Sequence, residues 1–305
     1  MIWSRTAPAI LLALASAIAS PIRAGTINHG TEQAHLDFAS DPIFESVGWV
    51  RGVDSTGSYV AGTGVLIHPE WVLTASHVLA SRQWDSVQFS LDLRANDPNR
   101  TLHPAQAWFI HPDYEADPRS GFGTELSLIH LVNPITSVAP AKIYRGELSV
   151  GTHVNWAGYG RLRYPEGVEI PPSGTKRGGE NIIDHIYERS SETYAGFYSY
   201  FLFDFGATVP TPDLPLEMGI SGGANGGGVF ISVGGETQLA GIVAFFFVPQ
   251  DTVAIQPGLH LEWIESYVPL SEVPEPTSAA LAVFTVAAIA CPARSRRHDQ
   301  NSFAA

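Results

Sequence analysis

Residues 223–230 read Gly-Ala-Asn-Gly-Gly-Gly-Val-Phe, four glycines grouped around a single amide side chain. Glycine accepts backbone angles that other residues reject, so the stretch reads as an irregular loop feeding an apolar strand. The rest of the chain is punctuated in the same way. Short Val/Ile/Phe runs sit between clusters of Gly, Pro, Asn and Asp, and no long helical periodicity stands out among them. The 305 residues include 29 Gly and 22 Pro with 45% apolar content, which suits a turn-rich β protein with a sizeable core. No internal repeat is visible.

Seven segments carry a family resemblance. Residues 62–79, GTGVLIHPEWVLTASHVL, read as a β-hairpin turning at His-Pro-Glu and ending in Thr74-Ala75-Ser76-His77. Residues 123–131, GTELSLIHL, place Glu125 ahead of an apolar run, and His111-Pro112-Asp113-Tyr114 precedes it. Asn155-Trp156-Ala157-Gly158-Tyr159-Gly160 and Leu239-Ala240-Gly241-Ile242-Val243-Ala244 read as further strands, as does Leu202-Phe203-Asp204-Phe205, and Leu261-Glu262-Trp263-Ile264 as a closing helix. In their order along the chain the segments resemble those of chymotrypsin/trypsin-like serine proteases, in the bacterial secreted form, over roughly residues 27–268. The resemblance implies an all-β fold: two antiparallel β-barrels with a short C-terminal helix, and a cleft between the barrels for a peptide or protein ligand.

It also implies a site. His77 takes the place of the general base and Glu125 that of the acid orienting it, one methylene longer than the family's Asp. The loop 223–230 matches Gly-Asp-Ser-Gly-Gly-x-Val/Leu-Phe, with Asn225 at the nucleophile position and Ala224 at the preceding Asp. The backbone N–H groups of Gly223 and Asn225 become the oxyanion donors. An amide has no hydroxyl to deprotonate and forms no acyl-enzyme. A second alignment makes Ser221, of Gly219-Ile220-Ser221-Gly222-Gly223, the nucleophile, at the cost of looping out four residues before Val229. Two functions follow: a pseudoprotease that keeps the cleft without the chemistry, or a serine endopeptidase using Ser221, His77 and Glu125. In the first alignment the pocket position, Gly219, supplies no carboxylate for Lys or Arg.

The two ends read as sorting signals. Arg5, the apolar stretch Ala9–Ala19 and the small residues Ala17-Ile18-Ala19 form a secretory pattern, giving a signal peptide over 1–24 and a protease-like domain over 25–270. Val273-Pro274-Glu275-Pro276, the apolar run Ala279–Ala290 and Arg294-Ser295-Arg296-Arg297 resemble the tripartite PEP-CTERM tail of Gram-negative bacteria, here 271–305. That resemblance implies an exosortase partner, transient membrane contact through a short apolar helix, and release to the exterior or cell surface. The chain holds 17 Lys+Arg against 30 Asp+Glu, and five of the arginines and three of the acids lie in the two end segments. The acidic domain between them argues against nucleic-acid binding. Cys291 is the only cysteine and lies in the tail, so the domain has no disulfide. The scattered histidines show no metal-ligand spacing, and no cofactor is implied.

Overall fold

The computed structural model describes residues 29–57, 59–116, 123–160, 162–163, 169–170, 174–191, 196–203, 214–219, 223–247 and 251–270. The expected signal peptide, the tail helix over 278–291, Asp204 and Ser221 lie outside them. The chain divides into two compact units, Met1–Leu261 and Glu262–Ala305.

The first unit opens with helix α1 (Glu32–Phe38), which the sequence reading did not anticipate. Thr31 caps it, its hydroxyl accepting from the Ala34 N–H at 3.2 Å. Its buried His35 holds Gly178 O at 2.8 Å and His29 O at 2.9 Å, one from each ring nitrogen. Glu32 of this helix pairs with the buried Arg177 at 2.6 Å. α1 is thus fixed by polar groups together with a short apolar contact of Phe38 on Phe44, and it is too short for periodicity to reveal it.

Six strands then close a barrel: β1 (Val47–Val53), β2 (Tyr59–His68), β3 (Trp71–Thr74), β4 (Ser86–Ser90), β5 (His103–Ile110) and β6 (Ser127–Leu131). Their order around the barrel is β1-β2-β3-β6-β5-β4, every pairing antiparallel. The hairpin read from residues 62–79 is β2–β3, followed by helix α2 (Ser76–Ala80). Val50, Leu66, Val72, Phe89, Ile129 and Leu131 fill the interior, each with no exposed surface. Closure leaves this sheet without free edges, so every strand is paired on both sides.

The second half is a seven-stranded antiparallel sheet. Its strands are β7 (His153–Gly158), β10 (Arg177–Ile182), β11 (His185–Ser191), β12 (Gly196–Phe203), β13 (Gly228–Val233), β14 (Glu236–Phe247) and β15 (Asp251–Ile255), with β8 (Leu162–Arg163) and β9 (Glu169–Ile170) forming a small separate pair. The order is β10-β7-β13-β14-β15-β12-β11. β10 and β11 are the outermost strands, yet only residues 183 and 184 separate them in sequence. Two residues span at most about 10 Å between flanking strand ends, so the sheet curls until its edges nearly meet. The expected all-β, two-barrel architecture is present, the second barrel as a curled sheet without a continuous ladder between β10 and β11. Val154, Trp156, Val229 and Val243 lie in its core. The described residues between 162 and 203 include strands β8 to β12. The closing helix α3 spans Leu261–Glu265. No helix among the described residues is long and apolar enough to cross a membrane.

Candidate active site

The geometry begins with β3 and β6. They pair with Thr74 opposite Ser127, which brings the residues just after β3 beside those just before β6. Ser76 fastens this junction. Its hydroxyl donates to Leu126 O at 2.7 Å, and the Ser127 hydroxyl lies 3.2 Å from it. The consequence is that His77, first turn of α2, faces Glu125 across 48 residues of sequence, and its Nδ1–H donates to Glu125 Oε1. Glu125 is buried, while about a third (35%) of the His77 side chain is exposed. A carboxylate only accepts, so it fixes the proton on Nδ1 and leaves the Nε2 lone pair free. Burial pushes the Tyr114 hydroxyl up to about 12, and the Glu125 charge pushes the same way.

The partner of Nε2 comes from the glycine-rich loop. Asn225 Nδ2 lies 2.8 Å from it and donates. Asn225 Oδ1 is buried with no partner among the described residues. Thus His77, Glu125 and Asn225, three residues singled out in sequence, meet in one hydrogen-bonded line. Gly223, two positions earlier, has φ +96°, and among the described residues no hydrogen-bond partner exists for its N–H or for that of Asn225. Ala224 is buried in the second core beside Val154 and Trp156. Among the described residues no group of three or more His, Cys, Asp or Glu could hold a metal ion.

The loop is held by a residue that sequence reasoning missed. Thr63, on β2, is fully buried and makes four hydrogen bonds. Its N–H donates to Asn225 O at 2.8 Å and its hydroxyl to Gly223 O at 3.2 Å. The same hydroxyl oxygen accepts from Tyr159 N–H at 3.0 Å, and its carbonyl accepts from Thr74 Oγ1 at 2.6 Å. Close approach requires glycine on both sides. Gly226 has φ +88°, and a Cβ there would overlap the Thr63 carbonyl. A Cβ on Gly62 would come within 3.1 Å of Asn225 O and 2.8 Å of Val78. The loop continues into β13 through Gly226 N–H to Val243 O at 2.7 Å and Gly227 N–H to Ala224 O at 2.8 Å. The only signal available in sequence was the Gly-Thr-Gly triplet at 62–64.

A second imidazole pair lies on the approach to Glu125. His111 Nδ1 accepts from Asp113 N–H at 3.3 Å, so His111 Nε2–H donates to His260 Nδ1 at 3.2 Å. Burial holds His111 below its ordinary value, against the pull of Asp113. Burial chiefly, with His111 adding, pushes His260 down to about 4, opposed by a hydrogen bond to the Gly123 backbone.

Two outcomes are expected. Thr63→Val keeps the shape but leaves Tyr159 N–H and Gly223 O without their partner, so urea unfolding should show a loss of about 1–3 kcal/mol. His260 binds its proton less readily folded than unfolded, so its neutral form contributes fully above the ordinary 6.5 and stability falls as pH drops toward about 4. Thermal unfolding across that window should show the decline, and His260→Gln should flatten it.

The trypsin family model matches residues 42–195, about half of the chain; that range holds His77 and Glu125 and stops before the Asn225 loop. Human granzyme M (Homo sapiens) is 34% identical over 118 residues, which cover 37% of this chain and 44% of granzyme M. Platelet-aggregating proteinase PA-BJ of Bothrops jararaca is 30% identical over 141 residues, covering 43% of this chain and 55% of that protein. The chain therefore spans about half the length of these curated relatives. The solved structure of GrC superposes with a TM-score of 0.52 at 17% identity, over 79% of this chain and 97% of GrC, a likeness of fold alone. With the barrel, the curled sheet and the family match over half its length, the chain belongs to the trypsin family.

Proposed function

We propose that this trypsin-family chain is an exported pseudoprotease, which binds peptide or protein segments in its cleft and forms no acyl-enzyme. The observation that carries the reading is Asn225 Nδ2 at 2.8 Å from His77 Nε2. General-base catalysis needs an ionisable hydroxyl or thiol at that point, and an amide side chain offers neither. His77 and Glu125 retain the base and its orienting acid, and the longer Glu125 reaches the ring directly. The backbone N–H groups of Gly223 and Asn225 supply donors for a ligand carbonyl. Ala224 accords with lost chemistry, since its apolar surroundings offer a carboxylate no cation. The competing reading is a serine endopeptidase with Ser221 as nucleophile; the intact His77–Glu125 pair favours it, and Asn225 would have to vacate the ring.

The reading extends to both ends. Residues 1–24 direct export, 25–270 form the protease-like domain, and 271–305 are a PEP-CTERM tail that contacts the membrane until an exosortase removes it. The protein then resides outside a Gram-negative cell, free or at its surface. Support comes from the tripartite Val273-Pro274-Glu275-Pro276, apolar and Arg296-Arg297 pattern.

A fluorophosphonate probe, which labels only an activated serine, should leave the secreted protein unlabelled. Asn225→Ser should restore labelling, since His77, Glu125 and the loop amides stay in place. Strong labelling of the unmodified protein, abolished by Ser221→Ala, would establish the endopeptidase reading instead. Intact-mass measurement of the secreted protein should place its C-terminus near Pro276; recovery of Arg296 and Arg297 on it would refute the sorting assignment.

A further inference from the structure

The hydrogen bond between Asn225 and His77 sets up chemistry that a serine could not perform. We infer that the chain cleaves its own backbone between Asn225 and Gly226, with the Asn225 side-chain nitrogen as nucleophile. The inference rests on the reading that Asn225 stands where the family nucleophile stands. Three observations support it.

The nucleophile faces a base. Asn225 Nδ2–H points its hydrogen at His77 Nε2 over 2.8 Å, and Glu125 holds the opposite ring nitrogen. Glu125 also stabilises the imidazolium that proton removal creates. The electrophile faces a donor. Asn225 O accepts the Thr63 N–H at 2.8 Å, so negative charge building on that oxygen has a fixed hydrogen bond waiting. The alternative reaction of an Asn-Gly pair is obstructed. Attack by the Gly226 nitrogen on the Asn225 side chain would release ammonia, but that N–H is engaged with Val243 O at 2.7 Å, and Gly226 sits at φ +88° with the Thr63 carbonyl occupying the space a side chain would take.

The step balances without any co-reactant. Nδ2 attacks the backbone carbonyl carbon of its own residue, closing a five-membered ring. His77 takes the Nδ2 proton. The carbon–nitrogen bond to Gly226 breaks, and the proton passes to the departing Gly226 nitrogen. The products are a fragment ending in a C-terminal aminosuccinimide at 225 and a fragment with a free amine at Gly226. Water later opens the imide ring. Intramolecular geometry supplies much of what a weak nucleophile lacks. The buried Oδ1, without a partner among the described residues, leaves the amide less stabilised than it would be in water. The reaction is a single turnover that consumes the residue responsible.

The test is incubation of the purified full chain at neutral and mildly alkaline pH, followed by denaturing gel and intact mass. Two fragments should accumulate, one ending at Asn225 and one beginning at Gly226, with masses that sum to the uncut chain and a later gain of one water on the first. His77→Ala should slow cleavage by about 10² or more, the usual share of general-base catalysis. Asn225→Asp, which keeps the shape and removes the nitrogen, should abolish it. An intact chain overturns the inference, as does cleavage at an unchanged rate in His77→Ala, or conversion to aspartate at 225 without a chain break. An intact chain that also resists the fluorophosphonate probe sinks self-cleavage alone and leaves the pseudoprotease reading in place. Probe labelling at Ser221 sinks the pseudoprotease reading, and self-cleavage along with it.

Discussion

Thr63 is the point on which the site depends. One buried residue of the first barrel holds the glycine-rich loop at two carbonyls, receives the end of β7 through Tyr159, and ties its own hairpin through Thr74. Thr63, Thr74 and Tyr159 are buried, and a buried polar group without a partner costs free energy comparable to a lost hydrogen bond. The loop therefore cannot shift without orphaning several groups at once. Glycine at 62 and 226 permits the approach, and a side chain at either position would force the two halves apart. The site is placed by backbone contact first and by side-chain chemistry second.

With the loop fixed, Asn225 has little freedom. Its backbone carbonyl is bound to Thr63 and its side-chain nitrogen to His77. The donor pattern of a serine hydroxyl toward the imidazole is preserved, so the His77–Glu125 pair keeps its tautomer and orientation. What changes is the reactivity of the atom behind the hydrogen. An amide nitrogen does not form an acyl-enzyme with an external peptide, but it sits on the residue whose own carbonyl is near.

The surroundings of Glu125 add a second constraint. Tyr114, His111 and His260 crowd the approach to it, and burial keeps both imidazoles uncharged near neutral pH. Neutral rings can share one proton between facing nitrogens, whereas two imidazolium ions cannot. The acid that orients His77 is thus carried on a segment whose packing responds to acidification, although Glu125 and His77 themselves are separate from that pair.

The turn-rich β character and the β2–β3 hairpin were legible from local patterns, since strand runs and turn residues act over a few positions. The three side chains that meet in the site were legible through the family resemblance of their motifs. The sequence also showed that Asn225 could not act as serine does, because functional-group chemistry belongs to the residue. It did not reveal α1, whose hold on the domain is polar and long-range, or Thr63, whose four partners lie as far away as residues 74, 159, 223 and 225. A second barrel was expected from the resemblance; that it is a curled sheet with no ladder between β10 and β11 is a feature of the tertiary structure. That the Asn225 amide and the His77 ring are neighbours came from the tertiary structure, since the 2.8 Å contact joins residues 148 positions apart and needs both halves of the domain in place.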